Sequence, residues 1–585
     1  MRLSPSLTRT AHSYAHADIR DTMRWLTTRS QSFATSGALC VMRWTIVLSI
    51  LLATGSHESG VAESAPPDAP PHVLPHEGIR ALACMGADVS SSTDDDETGA
   101  ISVAPTPEAY SAAAIEIVCA SGVPVTLILH PGVELDDDTC RRLASSRNLV
   151  GLSLPDSGIS ARGFAVFAGA LQLRSLDLSD RDLTTTNAAS LRCLDVLDNL
   201  VIDRTTLTEA HWRAIAKAPR LARLSCQGVA LTADAWNAIR SVPRLRTLAL
   251  GGERLAQSDF NELGGLESLE NLTIRDARLS YEQLLPLANL QRLRTLDLNG
   301  TLADEYCLRA IGKMSGLQEL DLGGTSLRGQ HAASLGQVPH LAKLAMSDSR
   351  LDDEGLRIIA TLHGLRSLDV ERCAAISDDG VRALGALSDL QELRVSNRSL
   401  TDRGIAVVSQ LPDLRVVAAG GSTFSAAGLD SLRECKQLRE LCLRYSRQDR
   451  EPQFVAAVMQ RVEGIESLEK LEVSGLRQTA DSLATLHRLP RLEALTLCFS
   501  DLDDEALDAL SSLKSLRSLD LRFNERLTDD AVDSLLRCDH LADIWVTSGE
   551  LSSDGVTRLG KRFVVHRPTG TLTIRVNPIT RPVTP

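Results

Sequence analysis

The chain has 585 residues, a formal net charge of −13 and only 3% aromatic residues. A chain of this length ordinarily contains several domains, although a repeat architecture can grow as one long domain. The acidic balance argues against a nucleic-acid-binding surface, which needs concentrated Lys and Arg.

The N-terminal region has the layout of an export signal. Residues 1–41 are rich in Arg, Ser and Thr. We interpret them as a disordered leader or as the product of a start codon assigned upstream of the true one (an over-called start). A ten-residue apolar run, Trp44 to Ala53, follows a basic residue and precedes small residues, so residues 42–62 are interpreted as a secretory signal segment. A short buried helix is the alternative. Ten residues are too few to span a bilayer, which needs about 20. We therefore expect an extracytoplasmic mature chain (secreted, periplasmic or at the cell surface) without a membrane span.

Residues 63–75 are Pro-rich and predict a linker, and residues 76–148 predict an N-terminal capping subdomain. Helices are expected at Glu77–Met85 and Tyr110–Ala120, with strands at Ile101–Val103 and Val125–Leu129. The last strand lies 24 residues before the first regular repeat, so it predicts a degenerate first repeat. A cap is expected because the first coil would otherwise expose its apolar side.

Residues 149–563 repeat with a period of 24 residues, broken by two steps of 25 and one of 30. In the copy at 390–414, Leu393 and Val395 share one face of a predicted strand. Thr401 and Asp402 then predict a helix start, a hydroxyl cap followed by an acid in the first turn. The strand-opening leucines are residues 149, 173, 197, 221, 245, 269, 293, 317, 341, 365, 390, 414, 438, 468, 492, 516 and 541.

The repeat resembles the leucine-rich repeat family, in its ribonuclease-inhibitor-like or F-box-type 24-residue variety. The resemblance rests on the LxxLxL strand and on an [LI]-[TSD]-D-x-[GA] corner, seen at Leu351–Gly355, Ile376–Gly380 and Leu527–Ala531. It implies an α/β solenoid of about 17 repeats, a horseshoe or arc with a parallel β-sheet on the concave face and short helices on the convex face. The capping segment is similar to that of secreted bacterial leucine-rich repeat proteins of the planctomycete type. Residues 564–585 predict a C-terminal cap strand, at Thr571–Val576, and a tail.

No motif predicts a catalytic centre, a cofactor site or a metal site, so we expect a chain that is not an enzyme. Gly555–Lys561 has the spacing of a phosphate loop, but Arg562 stands where Ser or Thr must hold the metal. Asp94–Gly99 resembles the start of a calcium loop, but Pro105 occupies the position of the bidentate Glu. His72 and His76 lie in or next to the Pro-rich segment without further ligands.

The twelve cysteines are read through the repeat geometry. A disulfide needs Cα atoms within about 7 Å, whereas coils are spaced by about 5 Å, so cysteines several coils apart cannot pair. Bridges are considered only in the cap, as Cys119–Cys140 or Cys84–Cys119. Three cysteines just before strand leucines are predicted to be free core thiols: Cys193, Cys435 and Cys538.

Binding is the activity that stacked coils allow, because outward side chains of successive strands line one long surface. The early strands place small or acidic residues there: Ser153, Asp177, Ser225, Ala249, Thr273, Asp297, Asp321 and Asp369. The last five coils instead cluster aromatic and charged residues, the types that dominate interface hot spots. Packing under the C-terminal cap is the alternative for them. The predicted partner-binding residues are Arg444, Tyr445, Glu472, Phe499, Asp520, Arg522, Phe523 and Trp545.

We therefore expect a non-enzymatic exported module that binds a protein on its concave face. One alternative is cell-surface glycan binding. Another is an intracellular F-box-like substrate-recognition subunit of a ubiquitin ligase. Leu74–Glu77 echoes the opening of an F-box, but Gly- and Asp-rich sequence follows where apolar helices are needed, and the export signal conflicts with that location.

Overall fold

The computed structural model describes residues 88–91, 101–104, 115, 119, 124–129, 134–154, 158–170, 172–186, 188–252, 255–303, 306–396, 399–420, 425–445, 452–547 and 550–566. The predicted leader, signal segment and linker lie outside these residues. So do the Glu77–Met85 helix, the Asp94–Gly99 turn and the Thr571–Val576 strand.

The strands are short and recur once per repeat. In chain order they are β1 (Asp88–Ser91), β2 (Ile101–Ala104), β3 (Val125–Ile128), β4 (Glu134–Leu135), β5 (Leu149–Ser153), β6 (Gly158–Ile159), β7 (Ser175–Asp177), β8 (Asn199–Val201), β9 (Arg223–Ser225), β10 (Thr247–Gly251), β11 (Asn271–Arg275), β12 (Arg278–Leu279), β13 (Thr295–Asp297), β14 (Leu302–Ala303), β15 (Glu319–Asp321), β16 (Lys343–Ala345), β17 (Ser367–Asp369), β18 (Glu392–Arg394), β19 (Val416–Ala418), β20 (Glu440–Arg444), β21 (Lys470–Ser474), β22 (Ala494–Thr496), β23 (Ser518–Asp520), β24 (Asp543–Trp545) and β25 (Val564–His566).

Helices connect the strands. The α-helices are α1 (Asp137–Ser145), α2 (Ala161–Val166), α3 (Glu209–Ile215), α4 (Ala233–Ser241), α5 (Gln257–Leu263), α6 (Tyr281–Leu284), α7 (Cys307–Ile311), α8 (Asp353–Ile359), α9 (Asp378–Ala383), α10 (Asp402–Val408), α11 (Pro452–Val462), α12 (Ala480–Ala484), α13 (Ala531–Leu536) and α14 (Ser553–Gly560). Segments of 3₁₀ helix occupy Phe167–Gly169, Ala188–Asp195, Leu285–Asn289, Gly329–Gln337, Leu384–Ala386, Ala426–Glu434, Thr485–Arg488 and Asp504–Ser512. Ile115 and Cys119 are also helical, as expected for Tyr110–Ala120.

Twenty-one of the described strands form a single sheet, and each strand from β2 onward pairs in parallel with the next strand of that sheet. The pairs β4–β6 and β12–β14 stand apart as small parallel sheets. The predicted register is confirmed, since Leu368 lies opposite Leu393 and Leu393 opposite Val417. The six extra residues of the longest repeat leave Glu440 opposite Lys470. The same repeat contains α11, the longest described helix.

The core is the row of apolar side chains between the sheet and the helices. Leu393 and Leu400 are fully buried, as are Ile405 and Val408 of the helical side of the same coil. Fully burying such a side chain stabilises the fold by about 2 kcal/mol. Each coil therefore depends on its two neighbours, and the chain is a solenoid of the predicted α/β class.

An acid-to-hydroxyl link joins consecutive coils at the corner motif. Ser377 caps its own helix and donates both its N–H and its hydroxyl to Asp353 of the preceding coil, at 2.7 and 2.6 Å. Thr401 does the same to Asp378. The same link joins Ser425 to Asp402, Thr528 to Asp504 and Ser552 to Asp529. The acid at the third position of the corner thus binds the next coil, a role that the sequence pattern alone does not reveal.

The last position of the corner is small because this link passes over it. A Cβ on Gly555 would overlap the Asp529 carboxylate, with the Asp529 Cγ at 2.8 Å. At Gly380 it would overlap the Asp353 carboxylate and approach the Asp353 Cα at 2.9 Å. Glycine here makes room for the carboxylate of the preceding coil, so the two halves of the motif are physically coupled.

The ends of the sheet contain strands that the repeat pattern does not predict. β1 pairs antiparallel with β2, and β2 pairs in parallel with β3, so the sheet extends into the segment predicted as a cap. β3 joins β5 with an irregularity after Val125. β25 adds a further strand, whose Val565 is fully buried.

Candidate functional site

The open face of the sheet is formed by the side chains that flank the buried leucines. In β23, for example, Ser518 and Asp520 are half-buried on either side of buried Leu519. The small and acidic residues expected on the early strands lie on this face, although Asp321 is only 6% exposed. Burial raises the pKa of Asp297 to about 6, against the opposing effect of Arg275, and raises that of Asp369 to about 6 as well.

Beside the open face runs a left-handed ladder, one residue with positive φ at or just beyond the end of twelve of the described strands: β7–β11, β13, β15–β17 and β21–β23. Its φ values lie between 51° and 78°, apart from 119° at Gly252. Asp, Arg and Gly fill most of its positions, as expected for residues that tolerate this conformation or are stabilised by a neighbour. The ladder consists of Asp180, Arg204, Gly228, Gly252, Asp276, Gly300, Gly324, Asp348, Arg372, Gly475, Phe499 and Phe523.

Neighbouring ladder side chains contact each other across coils. Arg204 donates to the Asp180 carboxylate through Nε and Nη2, at 2.5 and 2.6 Å. Phe499 and Phe523 form the aromatic counterpart, with ring centroids 4.4 Å apart and planes 5° apart. These two rings remain 47% and 36% exposed. A bulky side chain at positive φ is a backbone outlier that costs roughly 1–3 kcal/mol.

A buried amide holds the two phenylalanine turns together. The Asn524 side chain is fully buried and donates through Nδ2 to the carbonyls of Leu497 and Leu521, at 2.8 and 2.6 Å. Its Oδ1 accepts the N–H of Ser500 at 2.9 Å. Asn524 thus links the coil of Phe499 to that of Phe523, and all of these bonds lie in the interior.

A carboxylate closes the same network from the following coil. Glu550 accepts the N–H of Asn524 and the N–H of Thr547, both at 2.6 Å, and Phe523 donates its N–H to the Thr547 hydroxyl at 2.8 Å. Burial raises the pKa of the Glu550 carboxyl to about 7, although the donated N–H groups favour its ionised form. The turn that carries Phe523 is therefore fixed by hydrogen bonds on both sides.

The charged residues predicted for the site form pairs. Arg444 donates to the Glu472 carboxylate through Nε and Nη2, at 2.7 and 2.9 Å, and its Nη1 lies 3.8 Å from Glu371. Hydrogen bonding to Glu472 raises the pKa of the Arg444 guanidinium. Arg522 is likewise paired with Asp520, at 2.9 and 2.6 Å. Neither arginine offers an unpaired charge.

Two of the predicted aromatic residues are placed differently from the phenylalanine pair. Tyr445 is only 8% exposed and packs edge-to-face on Phe454, with centroids 5.8 Å apart. Trp545 stacks on His566 at 4.2 Å, and the His566 Nε2 lies 3.1 Å from Asp543. Tyr445 therefore contributes little surface, and Trp545 is half-buried against the last strand.

A cavity of about 390 Å³ joins four of the predicted residues: Arg444, Tyr445, Glu472 and Phe499. Ser474, Gly475 and Cys498 complete its lining. Phe523 and Trp545 lie outside it. Gly475, Cys498, Asn524 and Glu550 were not predicted, although the 24-residue spacing of Gly475 from Phe499 was a usable signal.

The motif that mimics a phosphate loop takes a structural role. Gly555 begins the sequence that mimics a phosphate loop, and it lies buried in α14. His72, His76 and Cys84 lie outside the described residues. No group of three or more metal-ligating side chains occurs in the part of the chain that the structure describes. Within that part, every helix is too short or too polar to cross a bilayer.

The predicted core thiols are confirmed, and one of the two bridges considered for the cap is absent. Cys193, Cys435 and Cys538 are free and buried, and burial raises the pKa of Cys193 to about 12. Cys140 is also free, so the Cys119–Cys140 disulfide does not form. Cys140 is instead fully buried on α1, where it packs as a small apolar side chain.

The sequence of residues 277–534 matches the family model described as a leucine-rich repeat region. Residues 277–534 are a leucine-rich repeat region. This family supports a role as a protein–protein interaction module, since stacked repeats present extended binding surfaces. No curated protein matches the chain.

Among solved structures, the chain is similar to an internalin (inlF) from Listeria monocytogenes. The two share 18% sequence identity, and the match covers 52% of this chain and 81% of the internalin, with a TM-score of 0.36. The fold assignment rests on the strand register and the family match rather than on this likeness.

Proposed function

We propose that this protein is a non-enzymatic, exported interaction module that binds a protein partner on the open face of its sheet. The observation that carries the proposal is the stacked, exposed pair of Phe499 and Phe523 on the left-handed ladder. Family membership supports binding rather than catalysis.

Other residues at these two positions would make the folded protein more stable. Glycine adopts positive φ without steric cost, and the ladder uses it at Gly228, Gly300 and Gly324. Two adjacent phenylalanines instead add backbone strain and leave apolar surface in water. Strain of this kind concentrates at functional sites, where the surrounding structure holds it in place.

The pair is also rigid before any partner arrives. Asn524 fixes both turns through buried hydrogen bonds, and Glu550 adds a partly buried one to the Asn524 N–H. A preorganised aromatic surface loses little conformational entropy on binding, which is why rigid aromatic anchors make effective hot spots. The paired states of Arg444 and Arg522 leave these rings as the dominant contact feature.

Export is proposed from the sequence layout of residues 42–62. Mass spectrometry of the protein from its native source should find a mature N-terminus near Ser56 or Glu63. An intact Met1 would refute export and leave the binding proposal standing.

Partner binding is tested by placing p-benzoylphenylalanine at position 523 and irradiating cells that express the chain. We expect an adduct with one partner protein. We expect no adduct from the same group at Tyr306, an aromatic residue that is more exposed than Phe523, at 47% against 36%, and lies outside the long sheet. The isolated partner is then titrated against Phe499→Ala/Phe523→Ala/Trp545→Ala. The matched control is Leu302→Ala/Tyr306→Ala. A folded triple variant with full partner affinity eliminates the proposal.

A further inference from the structure

The ladder has a gap directly beside the phenylalanine pair. The coil order places Phe523 on one side of Phe499 and Gly475, with φ 78°, on the other. Phe523 covers one face of the Phe499 ring. Because Gly475 has no side chain, the other face borders the 390 Å³ cavity, which we call the Gly475 slot.

A second glycine of the ladder, Gly228, also borders a cavity. Gly228 occupies the ladder position after Arg204. Both residues, together with Trp212, line a cavity of about 370 Å³. That cavity is bordered by the charged Arg204, whereas the Gly475 slot is bordered by a phenyl ring.

The backbone keeps the slot open. A Cβ on Gly475 would overlap the carbonyl of Tyr445, whose carbonyl carbon would lie only 3.0 Å away. Neighbouring strands are about 4.8 Å apart, and carbon atoms pack at about 3.5–4.0 Å. One missing side chain therefore leaves room for one planar ring against Phe499.

The lining of the slot favours a neutral ring over a charged group. Arg444 and Glu472 already neutralise each other through two hydrogen bonds. Burial raises the pKa of the Cys498 thiol, which therefore stays neutral at physiological pH. A guanidinium or carboxylate entering here would lose water without gaining an unpaired counter-charge.

We propose that the Gly475 slot binds one aromatic side chain of the partner protein as the third ring of the Phe523–Phe499 stack. This rests on the proposed function, because the ring belongs to the protein that docks on the open face. Phe499 is the recognition residue, and Phe523 supports it from behind.

The test uses small probes that isolate the slot from the rest of the interface. Indole, p-cresol, guanidinium chloride and methyl α-glucopyranoside are titrated separately into the full chain, with binding followed by saturation-transfer NMR. We expect indole and p-cresol to bind and guanidinium and the glucoside not to. Aromatic stacking of about 0.5–1.5 kcal/mol predicts that Phe499→Leu weakens indole about 2- to 10-fold. Phe499→Tyr keeps the ring and should retain binding, and Phe523→Leu should have the smaller effect.

Equal indole binding to the wild type and to Phe499→Leu overturns the slot, as does preferential binding of guanidinium or of the glucoside. Those last two results would indicate a cationic or a glycan ligand instead. The proposed function fails differently. If indole binding depends on Phe499 but the triple alanine variant keeps its affinity for the partner, the open face is not the docking surface. If the triple variant loses its partner and indole does not bind, docking stands and the slot assignment is wrong.

Discussion

The close approach of the Asp529 carboxylate to Gly555 predicts that Gly555→Ala destabilises the protein when Asp529 is present and stabilises it when Asp529 is replaced by alanine. Asp529→Ala removes the acceptor for the Ser552 N–H, at 2.8 Å, and for its hydroxyl. These bonds are exposed to solvent, so water replaces part of their energy, and we expect a loss of about 1 kcal/mol. Gly555→Ala alone should also destabilise the protein, because the new Cβ overlaps the Asp529 carboxylate.

In the Asp529→Ala background the obstacle is gone, since the closest atoms that the Cβ would meet all belong to that carboxylate. Gly555 is in the first turn of α14, where alanine is preferred to glycine by up to about 1 kcal/mol. Gly555→Ala should therefore change from destabilising by about 1–3 kcal/mol to stabilising by about 0.5–1 kcal/mol.

The free energies of unfolding in this double-mutant cycle of Asp529→Ala and Gly555→Ala are measured by urea unfolding followed by circular dichroism. If the last coil opens separately, hydrogen exchange of the α14 amides detects the same effect. Asp533→Ala is the matched control. Asp533 lies on α13 and pairs with Arg558, which is on α14 like Gly555. No atom of Asp533 is among those nearest a Cβ at Gly555. The changes in the free energy of unfolding caused by Asp533→Ala and by Gly555→Ala should add. If Gly555→Ala is destabilising by the same amount with and without Asp529, the coupling of the corner motif is refuted.

Three further predictions concern the carboxylate, the thiols and the ladder. The Glu550 pKa is raised from the ordinary value to about 7, so its contribution to stability is complete below about pH 4.5 and is lost as the pH rises through 7. Between about pH 5 and pH 8 we expect a loss of about 2 kcal/mol after allowing for partial exposure, and a flatter profile for Glu550→Gln in urea titrations. Iodoacetamide should spare Cys226 and Cys442 in the native protein, because both thiols are buried and their pKa is raised. Modification of either without denaturant, seen by mass spectrometry, contradicts this. Phe523→Gly should change the free energy of unfolding by no more than about 1 kcal/mol, because relief of left-handed strain offsets lost stacking. Phe260→Ala, at a fully buried ring, should cost about 3–5 kcal/mol in the same urea assay.

The strand register could be predicted from the sequence because it depends on side-chain period alone. Leu393 must face the core wherever the apolar residues alternate, and its neighbours 25 and 24 residues away pair with it in the sheet. The corner was predicted only in part. A hydroxyl followed by an acid indicates a helix start, but the partner of that acid lies one coil away and is visible only in three dimensions.

The candidate site was harder to predict because it depends on backbone conformation beyond the strands. Tyr445 and Phe499 both follow strands and both seemed to face outward, yet Tyr445 is buried against Phe454 while Phe499 is exposed. The difference comes from local turns rather than from residue type. Asn524 and Glu550 resemble ordinary loop residues in sequence, and only their hydrogen-bond partners reveal that they fix the phenylalanine turns.

The acid-to-hydroxyl link has a polarity, because each carboxylate serves the coil that follows it. Deleting coils from the C-terminal end leaves behind only a carboxylate such as Asp402, which water solvates readily. Deletion from the N-terminal end strips the acceptor from the N–H and hydroxyl of a retained residue such as Ser425. Shortened versions of this protein should thus tolerate trimming from the tail more readily than from the head.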